Sequence, residues 1–141
     1  MMAEGRDCIA KLRQMNDNIP GEEISLKLFR LENLLKDIFD RLKEHPEQRE
    51  KMKKFMDYYL PVTLKLVGAY EEFDSLSVQG DDIVEAKNEI EKTLDTINDA
   101  FGELLERLFR DTAFDVTTDA QVLQTMLAKD GLTGKNQFDK K

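Results

Sequence analysis

The stretch Lys53-Lys-Phe-Met-Asp-Tyr-Tyr-Leu-Pro-Val-Thr-Leu-Lys-Leu66 sets Pro61 inside a run of strong helical periodicity. Tyr59, Val62 and Leu66 share one helical stripe, so the apolar pattern continues through the proline and the chain there must kink or stop. An interior proline costs a helix about 3 kcal/mol. Burying side chains such as Leu60, Leu64 and Leu66 returns about 1.5–3 kcal/mol each. Packing outweighs the break, and the stretch reads as a kinked, buried central helix from Pro46 to about Phe73. Its expected seam is Met52, Phe55, Tyr59, Val62, Leu66, Ala69 and Phe73. The missing Pro61 amide leaves the Asp57 carbonyl in need of another donor.

On the amino-terminal side, Ile24, Leu28, Leu31, Leu35, Ile38 and Leu42 alternate steps of four and three, a heptad seam thickened by Phe29, Leu34 and Phe39. Pro20 suits the first position of that helix, Glu22 and Glu23 complement its dipole, and Pro46 ends it and opens the next. On the carboxy-terminal side, Ser75–Gly80 reads as a loop, and Asp82 with Glu85 as a capping box. The helix after it carries the seam Ile83, Ile90, Leu94, Ile97, Phe101, Leu104 and Leu108 to about Arg110. Asp111–Val116 then reads as a turn, Thr118 with Gln121 as a second capping box, and Val122, Leu123, Met126 and Leu127 as a short helix. Gly131 is its left-handed terminator. At the other end, Ile9, Leu12, Met15 and Ile19 predict a short helix over residues 3–18.

Together these elements predict an all-α fold: an antiparallel three-helix bundle of long helices with short helices at both ends. Residues 1–19 form an amino-terminal short helix or arm, 20–132 the bundle domain, and 133–141 a disordered tail.

Composition narrows the function classes. The chain has 141 residues and a net charge of −8, which argues against general nucleic-acid binding. No apolar run approaches the roughly 20 residues of a membrane span. The single Cys8 cannot form an intramolecular disulfide, and the chain is expected in the cytoplasm. Most of the charge reads as solvated helix faces, since Glu32 with Lys36, Glu47 with Lys51, Glu50 with Lys54, Glu103 with Arg107 and Glu106 with Arg110 place the acid four residues before the base.

Catalytic signatures are not found. Cys8 and Arg13 have the wrong spacing and no glycines for a phosphate-binding cysteine loop, so Cys8 reads as a small helix residue. His45, the single histidine, is a junction residue before Pro46, without a partner for a di-iron site. Asp111, Asp115 and Asp119 recur at fours but lack the glycine and terminal glutamate of a calcium loop, and read as caps. There is no phosphate-loop signature and no serine elbow. No catalytic residue, metal ligand or cofactor is therefore predicted. Arg49, Lys51, Lys53 and Lys54 make a local basic patch suited to a phosphate, an acidic partner or lipid head groups, as in peripheral membrane contact. Tyr58 and Tyr59 read as core or core-edge aromatics; exposure of either beside Pro61 would point to a partner-binding groove. The heptad seams also suit a homodimer.

The segments "KKFMDYYLPVTLKLVGAYEEF", "EIEKTLDTINDAF" and "VLQTMLAKDGL" occur in this order. Over residues 25 to 132 the chain resembles the 5-bromo-4-chloroindolyl phosphate hydrolysis protein family, also called XpaC-like, through Tyr58–Pro61 and the ending Leu123–Leu132. The resemblance implies a bacterial protein akin to neighbours of toxic-anion (tellurite) resistance proteins, in a family whose members often carry an upstream membrane segment that this chain is not expected to have. It brings no catalytic residues with it. The leading expectation is a non-catalytic helical adaptor that binds a protein partner, a helical protein of the toxic-anion-resistance type, through Tyr58, Tyr59 and Pro61. The alternative is a phosphatase, or a factor assisting one, acting on aryl phosphate esters with Lys51, Lys53, Lys54 and Asp57.

Overall fold

A computed structural model describes residues 2–133, with side chains from Gly5 onward. Its elements are α1 (Met2–Asp17), α2 (Glu22–Glu44), a 3-10 segment (Pro46–Met52), a π-helical turn (Phe55–Tyr59), α3 (Leu60–Asp74) and α4 (Asp81–Lys129). The described residues are all-α. The chain divides into two units, Met1–Leu105 and Glu106–Lys141.

The core of the first unit forms around α2. Its six seam residues from Ile24 to Leu42 are all buried, as the heptad spacing requires, with Phe39 beside them. Of the two other residues expected to thicken this seam, Leu34 is half-buried and Phe29 is exposed. Glu22 and Glu23 occupy the first turn and Arg41 and Lys43 the last, each matching the helix dipole. Gly21 caps the helix, so Pro20 lies ahead of the cap and not at the first helical position.

Residue pairings fix the directions of the helices. Gly5 lies against the Phe39 ring and Arg13 meets Glu32, so α1 runs antiparallel to α2. Tyr70 meets Glu91 and Asp74 meets Lys87, so α3 runs antiparallel to α4. Lys27 with Asp95 and Arg30 with Asp99 set α2 and the first part of α4 parallel. Leu12, Met15 and Ile19 are buried, and Asn18 bonds to Glu71 of α3 at 2.8 Å, so α1 packs as a full member of the core.

The Pro61 region differs from its sequence reading in an instructive way. The buried residues are Met52, Phe55, Met56, Leu60, Thr63, Val67 and Tyr70. Up to Phe55 this is the predicted seam; beyond it, every buried position lies one residue later than predicted. Tyr59 and Val62 are exposed, and Leu66 and Ala69 are half-buried. The cause is the π turn, in which the Leu60 amide donates to the Phe55 carbonyl five residues back. A π turn spends one residue more than an α turn, so it rotates the following face by one position. Pro61 directly follows the π turn within helical backbone that runs unbroken from Lys53 through Asp74, so the turn is where the missing amide is accommodated.

Helix α4 departs from expectation at its other end. The predicted turn at Asp111–Val116 and the separate short helix are absent: α4 is one helix of 49 residues. No glycine or proline stands between Gly102 and Gly131, so polar and β-branched residues alone do not break it. Thr118 and Gln121 are thus mid-helix residues, not a capping box. Asp82 lies in the first turn rather than at the cap, with the Val84 amide bonded to the Gly80 carbonyl. Gly131 terminates α4 as predicted, at φ 80°: the Leu132 amide donates to Leu127 and the Gly131 amide to Ala128, a Schellman pattern. Most of the expected disordered tail, residues 134–141, lies outside the described residues.

Candidate functional site

Tyr58 and Tyr59, read from the sequence as core or core-edge aromatics, both point outward, at 59% and 40% exposure. The shift introduced by the π turn explains this, since it gives Leu60 the buried position that Tyr59 would have held. The two rings pack edge to face, 5.6 Å between centroids, and Lys54 Nζ stands 5.6 Å from the Tyr59 centroid, within cation–π range. Thr63, buried beneath, donates its hydroxyl proton to the Tyr59 carbonyl at 2.7 Å, tying the turn to α3. Val62, one position past Pro61, is also exposed.

Lys54 links the basic run to the tyrosines. Lys51, Lys53 and Lys54 are exposed, and Lys54 reaches the Tyr59 ring; Arg49 is half-buried, with its Nε enclosed and without a hydrogen-bond partner. Lys54 thus sets one cation beside the exposed Tyr59 ring.

Below the surface, Phe55 anchors the turn. Its ring lies 4.8 Å from that of Phe101 on α4 and 6.5 Å from that of Phe39 on α2. The exposed tyrosines thus stand on a buried aromatic cluster.

Other predicted residues fall elsewhere. His45 caps the end of α2 and pairs with Glu47, Nδ1 to Oε2 3.1 Å. The Glu47 carboxyl is held below its usual range by its own backbone amide and by His45. Cys8 is half-buried on α1. Asp111, Asp115 and Asp119 lie exposed along α4 and cap nothing. Glu32 does not pair with Lys36; it accepts two hydrogen bonds from Arg13, at 3.0 and 3.3 Å. Among the described residues, no group of three or more His, Cys, Asp or Glu side chains is placed to hold a metal ion. No described helix is long and apolar enough to cross a membrane.

Sequence reasoning missed two features. One is a polar network at the loop end of the first unit. The Tyr70 hydroxyl donates to Glu91 at 2.8 Å, and Lys87 bonds Asp74 at 2.9 Å and Gln79 at 3.2 Å, with its Nζ 5.5 Å from the Tyr70 centroid. Burial, and secondarily Glu91, pushes the Tyr70 phenol well above its usual range, so it serves as a fixed proton donor. The other is a cleft of about 360 Å³ between α1 and α2, lined in part by Arg6, Arg13, Lys36 and Lys43. Its bases come from two helices and form no run in the sequence.

Among curated proteins and among solved structures, none matches the chain. The family model of the 5-bromo-4-chloroindolyl phosphate hydrolysis protein matches residues 1–123. That span takes in α1, which the three quoted segments did not touch, and stops short of nearly all of the Leu123–Leu132 ending. The chain belongs to the 5-bromo-4-chloroindolyl phosphate hydrolysis protein family.

Proposed function

We propose that this protein is a non-catalytic helical adaptor that docks a protein partner on the surface formed by Tyr58, Tyr59 and Pro61, with Lys51, Lys53 and Lys54 at its rim. The observation that carries this reading is the exposure of two adjacent aromatic rings on a rigid turn. Tyrosines held this way offer large contact area at little entropic cost, and basic neighbours steer an acidic partner.

The second unit offers a surface of its own. Phe109, Val116 and Leu123 recur at seven-residue intervals, Met126 follows, and all four are exposed on α4. Such a stripe suits a second helix packing lengthwise. The proposed partner is accordingly helical, and a toxic-anion-resistance-type protein is the first candidate. We read the core of the first unit as an antiparallel three-helix bundle, of α2, the Pro46–Asp74 segment and α4, braced by α1; the alternating helix directions support this. We assign the protein to the bacterial cytoplasm.

Isothermal titration against a purified toxic-anion-resistance-type helical protein tests the proposal. Saturable binding that falls at least tenfold in Tyr58→Ala/Tyr59→Ala, the cost of losing an interface hot spot, is the expected result, with an unchanged circular dichroism spectrum. Binding unaffected by that change would reject the surface. Metal-dependent turnover of an aryl phosphate by the purified protein, abolished by Asp57→Ala, would reject the adaptor reading in favour of an enzyme.

A further inference from the structure

The part of α4 in the second unit repeats the pattern that builds the core of the first. Phe109, Ala113, Val116, Ala120, Leu123 and Leu127 advance in steps of four, three, four, three and four, the alternation that sets side chains along one seam of a paired helix. The corresponding seam of α2 is buried within the chain. This one stands in solvent: Val116 is 60% and Leu123 57% exposed, and Ala113 and Ala120 are exposed between them. A helix that carries such a stripe into water is stabilised by packing it against another element.

Charge decides what that element is. The residues bordering the seam between Ala113 and Leu127 are Thr117 and Gln124 on one side and Asp119 and Met126 on the other. Asp119 is the one charge among them, in a chain where 35% of residues are charged and the net charge is −8. Asp111 and Asp115 lie off the seam, at positions f and c of the heptad in which Val116 is d. A strongly basic or acidic partner helix would be met by opposite charges along these borders. Two copies of an acidic chain can instead meet only where like charges do not face each other. A parallel, in-register pair satisfies this, because it sets Asp119 beside Gln124 of the other copy and Thr112 beside Thr117. An antiparallel pair of full overlap would set Asp119 against its own counterpart. The three aspartates of this stretch also disfavour an anionic lipid surface as the occupant.

The size of the seam suits the same occupant. From Phe109 to Leu127 it runs about 27 Å at 1.5 Å per residue, on a helix about 10–12 Å across. Pairing along that length removes on the order of 500 Å² from water on each copy, about 1,000 Å² in total, the lower edge of a specific interface. Ala113 and Ala120 let the two backbones approach, and they alternate with the larger Phe109, Val116 and Leu123.

We infer that the second unit pairs this protein into a homodimer, with α4 of one copy parallel to and in register with α4 of a second along Phe109, Ala113, Val116, Ala120, Leu123 and Leu127. The inference rests on the reading of this stripe as a helix-docking surface, and it names the helix that docks there. It uses none of the residues of the tyrosine surface.

Sedimentation equilibrium of the full chain over micromolar concentrations, the weak end for interfaces of specific size, tests it. The expected result is a rise from the monomer mass to twice that mass. In Val116→Lys/Leu123→Lys the dissociation constant should increase at least tenfold, with an unchanged circular dichroism spectrum. Phe114→Lys should leave the dimer as it is, since Phe114 is 71% exposed but lies off the seam. In a Cys8→Ser chain, Val116→Cys should form an intermolecular disulfide, because parallel pairing brings position 116 of two copies within disulfide reach, and Phe114→Cys should not. A chain that stays monomeric, or a dimer indifferent to Val116→Lys/Leu123→Lys, would overturn the inference. Equal cross-linking at positions 114 and 116 would overturn the parallel register. The adaptor reading is tested apart from this. A monomeric chain whose binding to the proposed partner protein falls in Val116→Lys/Leu123→Lys overturns self-pairing and keeps the stripe as a partner surface, whereas a dimer that binds no such protein overturns the adaptor reading and keeps the pairing.

Discussion

Asn98 is 1% exposed on α4, where the helical seam would take an apolar side chain. Its Nδ2 donates to the Lys27 carbonyl of α2 at 3.1 Å, while its Oδ1 is enclosed with no hydrogen-bond partner. One bond is made and one acceptor is desolvated, contributions that nearly cancel. Asn98→Leu is therefore expected to leave stability within about 1 kcal/mol of the parent. Asn98→Asp, which buries a charge in the same place, should cost about 3 kcal/mol or more at neutral pH; urea unfolding measures both. Tyr70 carries a pH prediction. Its folded pKa lies above the unfolded value of about 10, so the protonated hydroxyl contributes stability that is intact below about pH 10 and is lost as pH rises further. In Tyr70→Phe this alkaline loss should diminish, and the late tyrosinate signal near 295 nm should vanish with it. Neither residue was legible as a partner in sequence. Asn98 stands next to Ile97 of the predicted seam, and Glu91 lies 21 positions from Tyr70, so only folding brings these groups together.

At the level of the element, legibility followed the uniformity of the helix. Helix α2 has no proline, no internal glycine and an unbroken alternation of fours and threes, and all six predicted positions are buried. The Pro61 segment was read with the same period but holds an extra residue in its π turn, a feature that side-chain periodicity does not reveal when each alternative face carries apolar residues. The partner-facing consequence was hidden with it, because the exposure of Tyr59 depends on that single residue. This gives a sharp test. Deleting Asp57, exposed within the turn, would let an α turn replace the π turn and still align Leu60, Thr63, Val67 and Tyr70 with Met52 and Phe55. Pro61 would then fall in a continuous α-helical interior, at a cost of about 3 kcal/mol. The deletion combined with Pro61→Ala should recover most of that cost in thermal unfolding. Equal stability of the two deletion proteins would show that the turn does not serve to accommodate the proline.

For the whole molecule, the sequence boundary at residue 19 separates an arm from a bundle, whereas the packing joins them. Leu12, Met15 and Ile19 are buried, and the Phe39 ring is covered by the backbone at Gly5. The weak amphipathicity of residues 3–18 concealed this, since α1 uses only a narrow stripe and presents its remaining faces to solvent. Burial of three such side chains contributes about 1.5–3 kcal/mol each, an upper bound because an unfolded chain is partly compact. Their sum is comparable to the about 5–15 kcal/mol that holds a typical domain folded. Removing residues 1–19 would also strip Glu32 of its Arg13 partner. A chain of residues 20–141 should therefore keep much of its helical far-ultraviolet signal, carried by α4 with its own capped end, while losing cooperative unfolding and binding a hydrophobic dye. A sharp unfolding transition at the parent's urea midpoint would show instead that α1 is an appendage.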